Sequence, residues 1–141
     1  SLHKLNASYN ALTQTDILAG CTGLTDLILS HNTLLDINGL AALDSLQYLD
    51  FSHNEVESLP LWDHKPGIVH INGSHNKLTN IDALSGCMQL NTVIMNDNQI
   101  KSVESLARCV NLIRVDVSNT LVSNVSMLTD QGIIVHYTPK N

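Results

Sequence analysis

The sequence predicts an α/β-type repeat solenoid. Parallel β-strands form its concave face, short 3₁₀ or irregular turns form its convex face, and regular α-helix is scarce. Two observations carry this reading. Asn10, Asn32, Asn54, Asn76 and Asn98 recur every 22 residues, and apolar residues keep fixed offsets from each of them. A third observation agrees: the 141 residues include 22 Leu and 15 Asn, but only one Trp, one Phe and three Tyr. Any core is therefore aliphatic. Self-similarity at one period marks stacked units, each burying its apolar face only against its neighbours.

The elements follow from the offsets. Eight residues before each ladder asparagine stand Leu2, Leu24, Leu46, Ile68 and Leu90. Five before stand Leu5, Leu27, Leu49, Ile71 and Val93; three before stand Ala7, Leu29, Phe51, Gly73 and Met95. Two after stand Leu12, Leu34, Val56, Leu78 and Ile100. A sixth unit runs through Leu112, Val115, Val117 and Val122, with Thr120 in the asparagine slot. The units are 2–23, 24–45, 46–67, 68–89, 90–111 and 112–133, with a partial closing unit at 134–141, in one domain over 1–141. Around each five-before slot the residues alternate with period two, as a strand requires: Leu49 and Phe51 face in, Tyr48 and Asp50 face out. Three further apolar slots complete each unit, such as Ile37, Leu40 and Leu43, or Ile81, Leu84 and Cys87. Only about eleven residues remain for the return, which suits short turns better than full helices. The segment LPLWDHKPG holds two prolines and is expected to be extended, with Trp62 packing on the convex side. Each ladder asparagine brings a buried amide, with two donors and one acceptor, to the turn after a strand.

Each unit has the form LxxLxLxxNxL, and the chain is identified as a leucine-rich-repeat protein. NTLLDINGLAALDSLQYLDFSHN and NKLTNIDALSGCMQLNTVIMNDN resemble the 22-residue class. That class includes the bacterial internalins and an intracellular phosphatase-regulator type. The resemblance implies a curved, right-handed solenoid that binds a protein partner on its concave face. Internalins carry a small helical cap before the first repeat, whereas here the first unit opens at Leu2. A cap is therefore expected outside residues 1–141, and self-association through the uncapped first coil is the alternative. QGIIVHYTPKN is expected to close the array as a strand with a polar tail.

Charge and cysteine content narrow the function. Net charge is −6, and none of the seven Lys and Arg adjoins another. A nucleic-acid groove or an anionic-membrane surface needs clustered cations, so neither partner is expected. No apolar run reaches the ~18 residues of a membrane span, so no membrane insertion is expected. Cys21, Cys87 and Cys109 lie in no CxxC and are read as small packing residues rather than a disulfide framework.

The outward strand positions form the candidate partner-binding face. One row is Lys4, Asp26, Tyr48, His70, Thr92 and Arg114; the next is Asn6, Ile28, Asp50, Asn72, Ile94 and Asp116. Asp26, Ile28, Tyr48, Asp50, His70, Asn72, Thr92, Ile94 and Arg114 are the expected contact residues, with Tyr48 and His70 at the centre. Tyrosine is a frequent hot-spot residue. His31, His53 and His75 occupy one slot on three successive coils, each preceded by Ser30, Ser52 or Ser74. They are read as a solvent-facing ladder, with seryl hydroxyls bonding the turn and a capacity to make the face pH-sensitive. A shared zinc ion would need converging rings, so no metal and no cofactor are expected. Asp50, His70 and Ser74 fall on neighbouring coils, but no nucleophile motif or phosphate loop is present, so no catalysis is expected. Asn6, Asn72 and Asn124 begin Asn-x-Ser triplets, which are glycan acceptors only where the source glycosylates.

The expected function is protein–protein recognition, with the resemblance placing the chain in an extracellular or bacterial cell-surface protein. One alternative is a cytoplasmic scaffold or enzyme-regulator subunit of the same repeat class. The other is a structural spacer with no concave-face ligand.

Overall fold

Alternation over three residues, repeated along the chain, produces seven short strands. The computed structural model describes residues 2–60, 62 and 67–138. Its strands are β1 (Lys4–Asn6), β2 (Asp26–Ile28), β3 (Tyr48–Asp50), β4 (His70–Asn72), β5 (Thr92–Ile94), β6 (Arg114–Asp116) and β7 (Ile134–His136). They form one parallel sheet in chain order. Their central residues stand directly opposite one another as Leu5, Leu27, Leu49, Ile71, Val93 and Val115. Those from Leu27 to Val115 are fully buried, while their outward neighbours are at least partly exposed. The architecture is a repeat solenoid with little regular helix.

The return segments are 3₁₀ turns at Asp16–Leu18, Asn38–Ala42, Asp82–Gly86 and Glu104–Arg108. Each of the last three opens on a polar side chain that accepts a backbone N–H two residues on: Asp36 from Asn38, Asn80 from Asp82, Ser102 from Glu104. Such local acceptors favour turns over continued helix. Ile37, Leu40 and Leu43, then Ile81, Leu84 and Cys87, then Val103, Leu106 and Cys109 are buried beneath them. Trp62 is buried in the same layer. The extended path expected for LPLWDHKPG falls largely on 61 and 63–66, outside the described residues. Thr15 fills the first coil's equivalent of Ile37 and keeps a buried hydroxyl without a hydrogen-bond partner.

The asparagines join coil to coil. Asn54 Nδ2 donates to Phe51 O at 2.9 Å and Ser52 O at 3.1 Å in its own coil, and to Leu29 O at 3.0 Å in the previous one. Its Oδ1 accepts the Leu34 N–H of that previous coil at 3.0 Å. Asn32, Asn76 and Asn98 repeat the same four bonds. Asn10 keeps only the bonds within its own coil. Thr120 donates to Val117 O and accepts the Val122 N–H, so it closes its own turn without reaching back.

Two sequence positions find their reason here. Gly73 stands where other coils hold Leu29, Phe51 or Met95. A Cβ on it would lie 2.5 Å from Phe51 Cζ and 2.9 Å from Met95 Sδ. The large Phe51 ring on one side is matched by the missing side chain on the next coil. A strict 22-residue period sets Tyr137 opposite Val115, but Val135 takes that place, 20 residues on. The shortening occurs at helix α1 (Ser126–Thr129), which ends through Gly132 at φ 82°. Gly132 N–H donates to Thr129 O and Ile133 N–H to Leu128 O, a Schellman end. The chain then enters β7 directly, 20 residues after β6.

Asn54→Ala removes four bonds at once and leaves buried backbone groups unpaired. It is expected to cost ~1–3 kcal/mol in urea denaturation, and unchanged stability would refute the coil-to-coil role. Gly73→Leu is expected to cost ~1–3 kcal/mol through overpacking. Adding Phe51→Leu to that variant should recover part of the loss in the same measurement.

Candidate functional site

Strand register gathers the outward residues into two rows. Lys4, Asp26, Tyr48, His70, Thr92, Arg114 and Ile134 are successive partners in one row; Asn6, Ile28, Asp50, Asn72, Ile94, Asp116 and His136 are partners in the other. All nine expected contact residues thus lie on one sheet face. The shortened last coil brings Ile134 onto the face and moves His136 from the place opposite Arg114, where the uninterrupted period sets it, to the place opposite Asp116.

At the centre the Tyr48 and His70 rings stack, 4.5 Å apart and within 7° of parallel. Burial, and then the nearby carboxylates of Asp50 and Asp26, push the Tyr48 hydroxyl above its ordinary pKa. Burial pushes His70 below its ordinary value, with Arg114 adding to the drop and Asp50 opposing it. Both rings are therefore neutral at pH 7, and the pair is a flat, uncharged platform between charged residues.

The second row does more than face solvent. Asp50 Oδ1 accepts both the backbone N–H and the hydroxyl of Ser52, at 2.9 and 2.7 Å. Asn6 with Ser8, Asn72 with Ser74 and Asp116 with Ser118 repeat the arrangement. The hydroxyls of Ser52 and Ser74, expected to bond the turn, donate to these side chains, whereas Ser30 has Ile28 in the acceptor's place. Asp50 and Asn72 therefore hold the strand-to-turn junction as well as facing outward. The Asn-x-Ser triplets at Asn6 and Asn72 are instances of this junction. Asn124 with Ser126 makes the same bonds at the start of α1. Because Ser74 donates to Asn72 and Asp50 is held by Ser52, no hydrogen bond links Asp50, His70 and Ser74 among the described residues.

The slot before the ladder asparagine has a strict backbone demand. Tyr9, His31, His53, His75, Asp97 and Asn119 all have positive φ, between 52° and 58°. Among non-glycine residues, Asn, Asp and His enter this left-handed region most readily, which accounts for five of the six. Fixed in that conformation, the rings form a column: Tyr9–His31 at 4.3 Å, His31–His53 at 4.2 Å and His53–His75 at 4.2 Å, with planes 7–12° apart. His75 Nε2 meets Asp97 Oδ2 at 3.3 Å, and Asp97 accepts further bonds from Asn119 and Asn96. Those two amide bonds, with Asn119 foremost, hold the Asp97 carboxyl below its usual pKa against a smaller opposing effect of burial. Parallel rings hold their lone pairs in parallel planes, so they do not converge on one ion. Among the described residues no group of three His, Cys, Asp or Glu is placed to hold a metal.

The cysteines are free thiols. Burial pushes the Cys87 thiol up to about 12, with Cys109 beside it adding to the rise, so it stays protonated and unreactive at neutral pH.

No protein-family model matches the sequence, and no curated protein matches it. Solved structures do. Internalin C2 of Listeria monocytogenes is 26% identical with a TM-score of 0.86, over 97% of this chain and 62% of that one. An internalin (inlF) of the same bacterium is 20% identical with a TM-score of 0.85, over 99% of this chain and 43% of its own. The fold is an internalin-like leucine-rich repeat. The leucine-rich-repeat domain of APL1B is also similar, at 24% identity and a TM-score of 0.73, over 86% of this chain and 38% of that one. The chain thus spans less than two thirds of each of these leucine-rich-repeat structures. Among the described residues no helix is long and apolar enough to cross a membrane.

The column also sets a pH dependence for the repeat. Burial, followed by His75 and His31, lowers the His53 pKa from its ordinary 6.5. His70 is lowered as well. A histidine whose folded pKa lies below its unfolded value stabilises the fold fully above the unfolded pKa and progressively less as pH falls beneath it. The melting temperature is therefore expected to drop between pH 7.5 and 5.5. His53→Asn keeps a residue suited to positive φ while removing the titration, and should flatten that drop. Circular dichroism melts across this range check it, and an equal drop in both proteins would refute the assignment.

Proposed function

We propose that the concave face of this leucine-rich-repeat chain recognises a protein partner, with Tyr48 and His70 at the centre of the contact. Asp26, Ile28, Asp50, Asn72, Thr92, Ile94 and Arg114 surround them. The observation that carries the reading is the neutral stacked pair of rings on the open sheet face. Neither ring fills the core or closes a turn, so the fold gives no reason for them. Aromatic side chains with few rotatable bonds are effective interface anchors. Half-exposed Ile28 and Ile94 flank the pair on neighbouring strands. Resemblance to the Listeria internalins supports a place in a bacterial surface or secreted protein.

The spacer reading draws on a different observation. Asn6, Asp50, Asn72 and Asp116 are needed at the strand-to-turn junctions, so their presence on the face demands no ligand. That argument does not extend to Tyr48, His70, Ile28 and Ile94, and recognition is the stronger reading.

The test is a pull-down from source lysate and host-cell surface extract, comparing wild type with a Tyr48→Ala/His70→Ala variant of unchanged melting temperature. A partner held by wild type and lost by the variant is the expected result. A partner held equally by both would refute the concave-face contact, and no partner at all would favour the spacer.

A further inference from the structure

We propose that the β1–β3 end of the concave face is a socket for one cationic side chain, an arginine or a lysine, presented by the protein partner. This rests on the concave-face reading and adds the partner's chemistry to it. The Tyr48 ring is covered by His70 on the side of β4. Its other face turns toward β2, where its register partner is Asp26. Among the described residues no other ring stacks on Tyr48, and an aspartate is too short to cover that face. Asp50 stands two residues along on β3, and both carboxylates are close enough to act on the Tyr48 hydroxyl. An aromatic ring with Asp26 on its open side and a second carboxylate nearby suits a flat cation, through cation–π attraction and charge-assisted hydrogen bonds.

The rest of the socket suits the stem of such a side chain. A cavity of about 300 Å³ lies at this end over β1 and β2, lined by Lys4, Leu5, Asn6, Asp26 and Ile28, and Asp26 in its wall is the register partner of Tyr48. Leu5 and Ile28 give it an apolar floor and Asp26 an anionic wall. Arginine and lysine carry an aliphatic stem and a charged head, and such residues lay the stem on apolar surface while the head meets charge or water. Lys4, the chain's own cation here, stands 4.0 Å from Asp26 Oδ2, and its side chain is 77% exposed. So loose a surface pair is worth little, so it yields to a better-placed cation. Asp26 Oδ1 takes the Thr25 hydroxyl at 2.9 Å and Asp50 Oδ1 takes the Ser52 hydroxyl, so each carboxylate keeps its second oxygen outside those bonds. With the chain at −6 overall, an acidic partner would meet repulsion here.

The test uses N-acetyl-arginine amide as probe and its uncharged near-isostere N-acetyl-citrulline amide as control, read by amide chemical shifts at low salt. Millimolar arginine amide should give saturable shifts at Asp26, Ile28 and Tyr48, and citrulline amide much smaller ones. Asp26→Asn should abolish them, and Lys4→Gln should strengthen binding severalfold. Equal shifts from both probes, or arginine shifts spread over unrelated carboxylates such as Asp44 and Glu57, would overturn the socket. The parent reading separates cleanly. A captured partner lost by Tyr48→Ala/His70→Ala but indifferent to Asp26→Asn removes the socket alone. A partner indifferent to both variants removes the concave-face contact with it.

Discussion

One side-chain amide on each of four successive coils, from Asn32 to Asn98, sustains the rest of the molecule. A chain that leaves a strand and turns inward carries unpaired carbonyls and N–H groups into an apolar layer, and each costs free energy unless it is bonded. The ladder asparagine meets carbonyls of two coils with its two donors and an N–H of the earlier coil with its acceptor. The same side chain therefore fixes the turn and ties it to its neighbour. Leu, Ile and Val can fill the slots between turns almost interchangeably because the amide, not the aliphatic packing, sets the register.

That amide also governs the surface beside it. Reaching its own-coil carbonyls requires the preceding residue to enter left-handed space, and the residue types that enter it readily are Asn, Asp and His. A column of identical conformations on parallel strands then stacks whatever rings are present. The histidine ladder is thus first a consequence of backbone geometry. Its pH behaviour follows from stacking and burial rather than from a site built for protons. The Asn-x-Ser triplets have a similar origin, since Asp-x-Ser at Asp50 and Asp116 does the same work as Asn-x-Ser at Asn6 and Asn72. A motif that resembles a modification signal is here an acceptor that closes a turn.

The fold was legible in the sequence because its causes repeat. The 22-residue interval, the alternation around each strand and the short returns all show as periodic residue types, and register follows from the interval. What was not legible depends on contacts between unlike neighbours or on backbone angles. Gly73 reads as a defect in its slot until the Phe51 ring is seen to fill the space. Ile134 joins the concave face, and His136 changes rows, only because Gly132 ends α1 early, and a single glycine in a polar tail does not announce that. The left-handed slot did leave a signal, in the run of His, Asp and Asn at one offset. The candidate face was legible as rows but not as roles: Asp50 and Asn72 look like free surface until their serine partners are placed.

This division of labour bears on where function can reside. Coils touch only adjacent coils, so stability in such an array is a sum over neighbours and no single outward residue is needed by the whole. A concave position can then be assigned by asking what the local junction requires of it. Asp50, Asn72 and Asp116 answer to their serines. Tyr48 answers to nothing in its own coil: its centre-row slot elsewhere holds Lys4, Asp26, Thr92 or Arg114 without disturbing the strand pairing. A slot so tolerant exerts no structural selection for an aromatic ring. His70 against one face of that ring and carboxylates beside the other give it an environment that the period does not generate. Residues the repeat neither requires nor repeats meet on this chain at Tyr48, which is why the proposed contact is centred there.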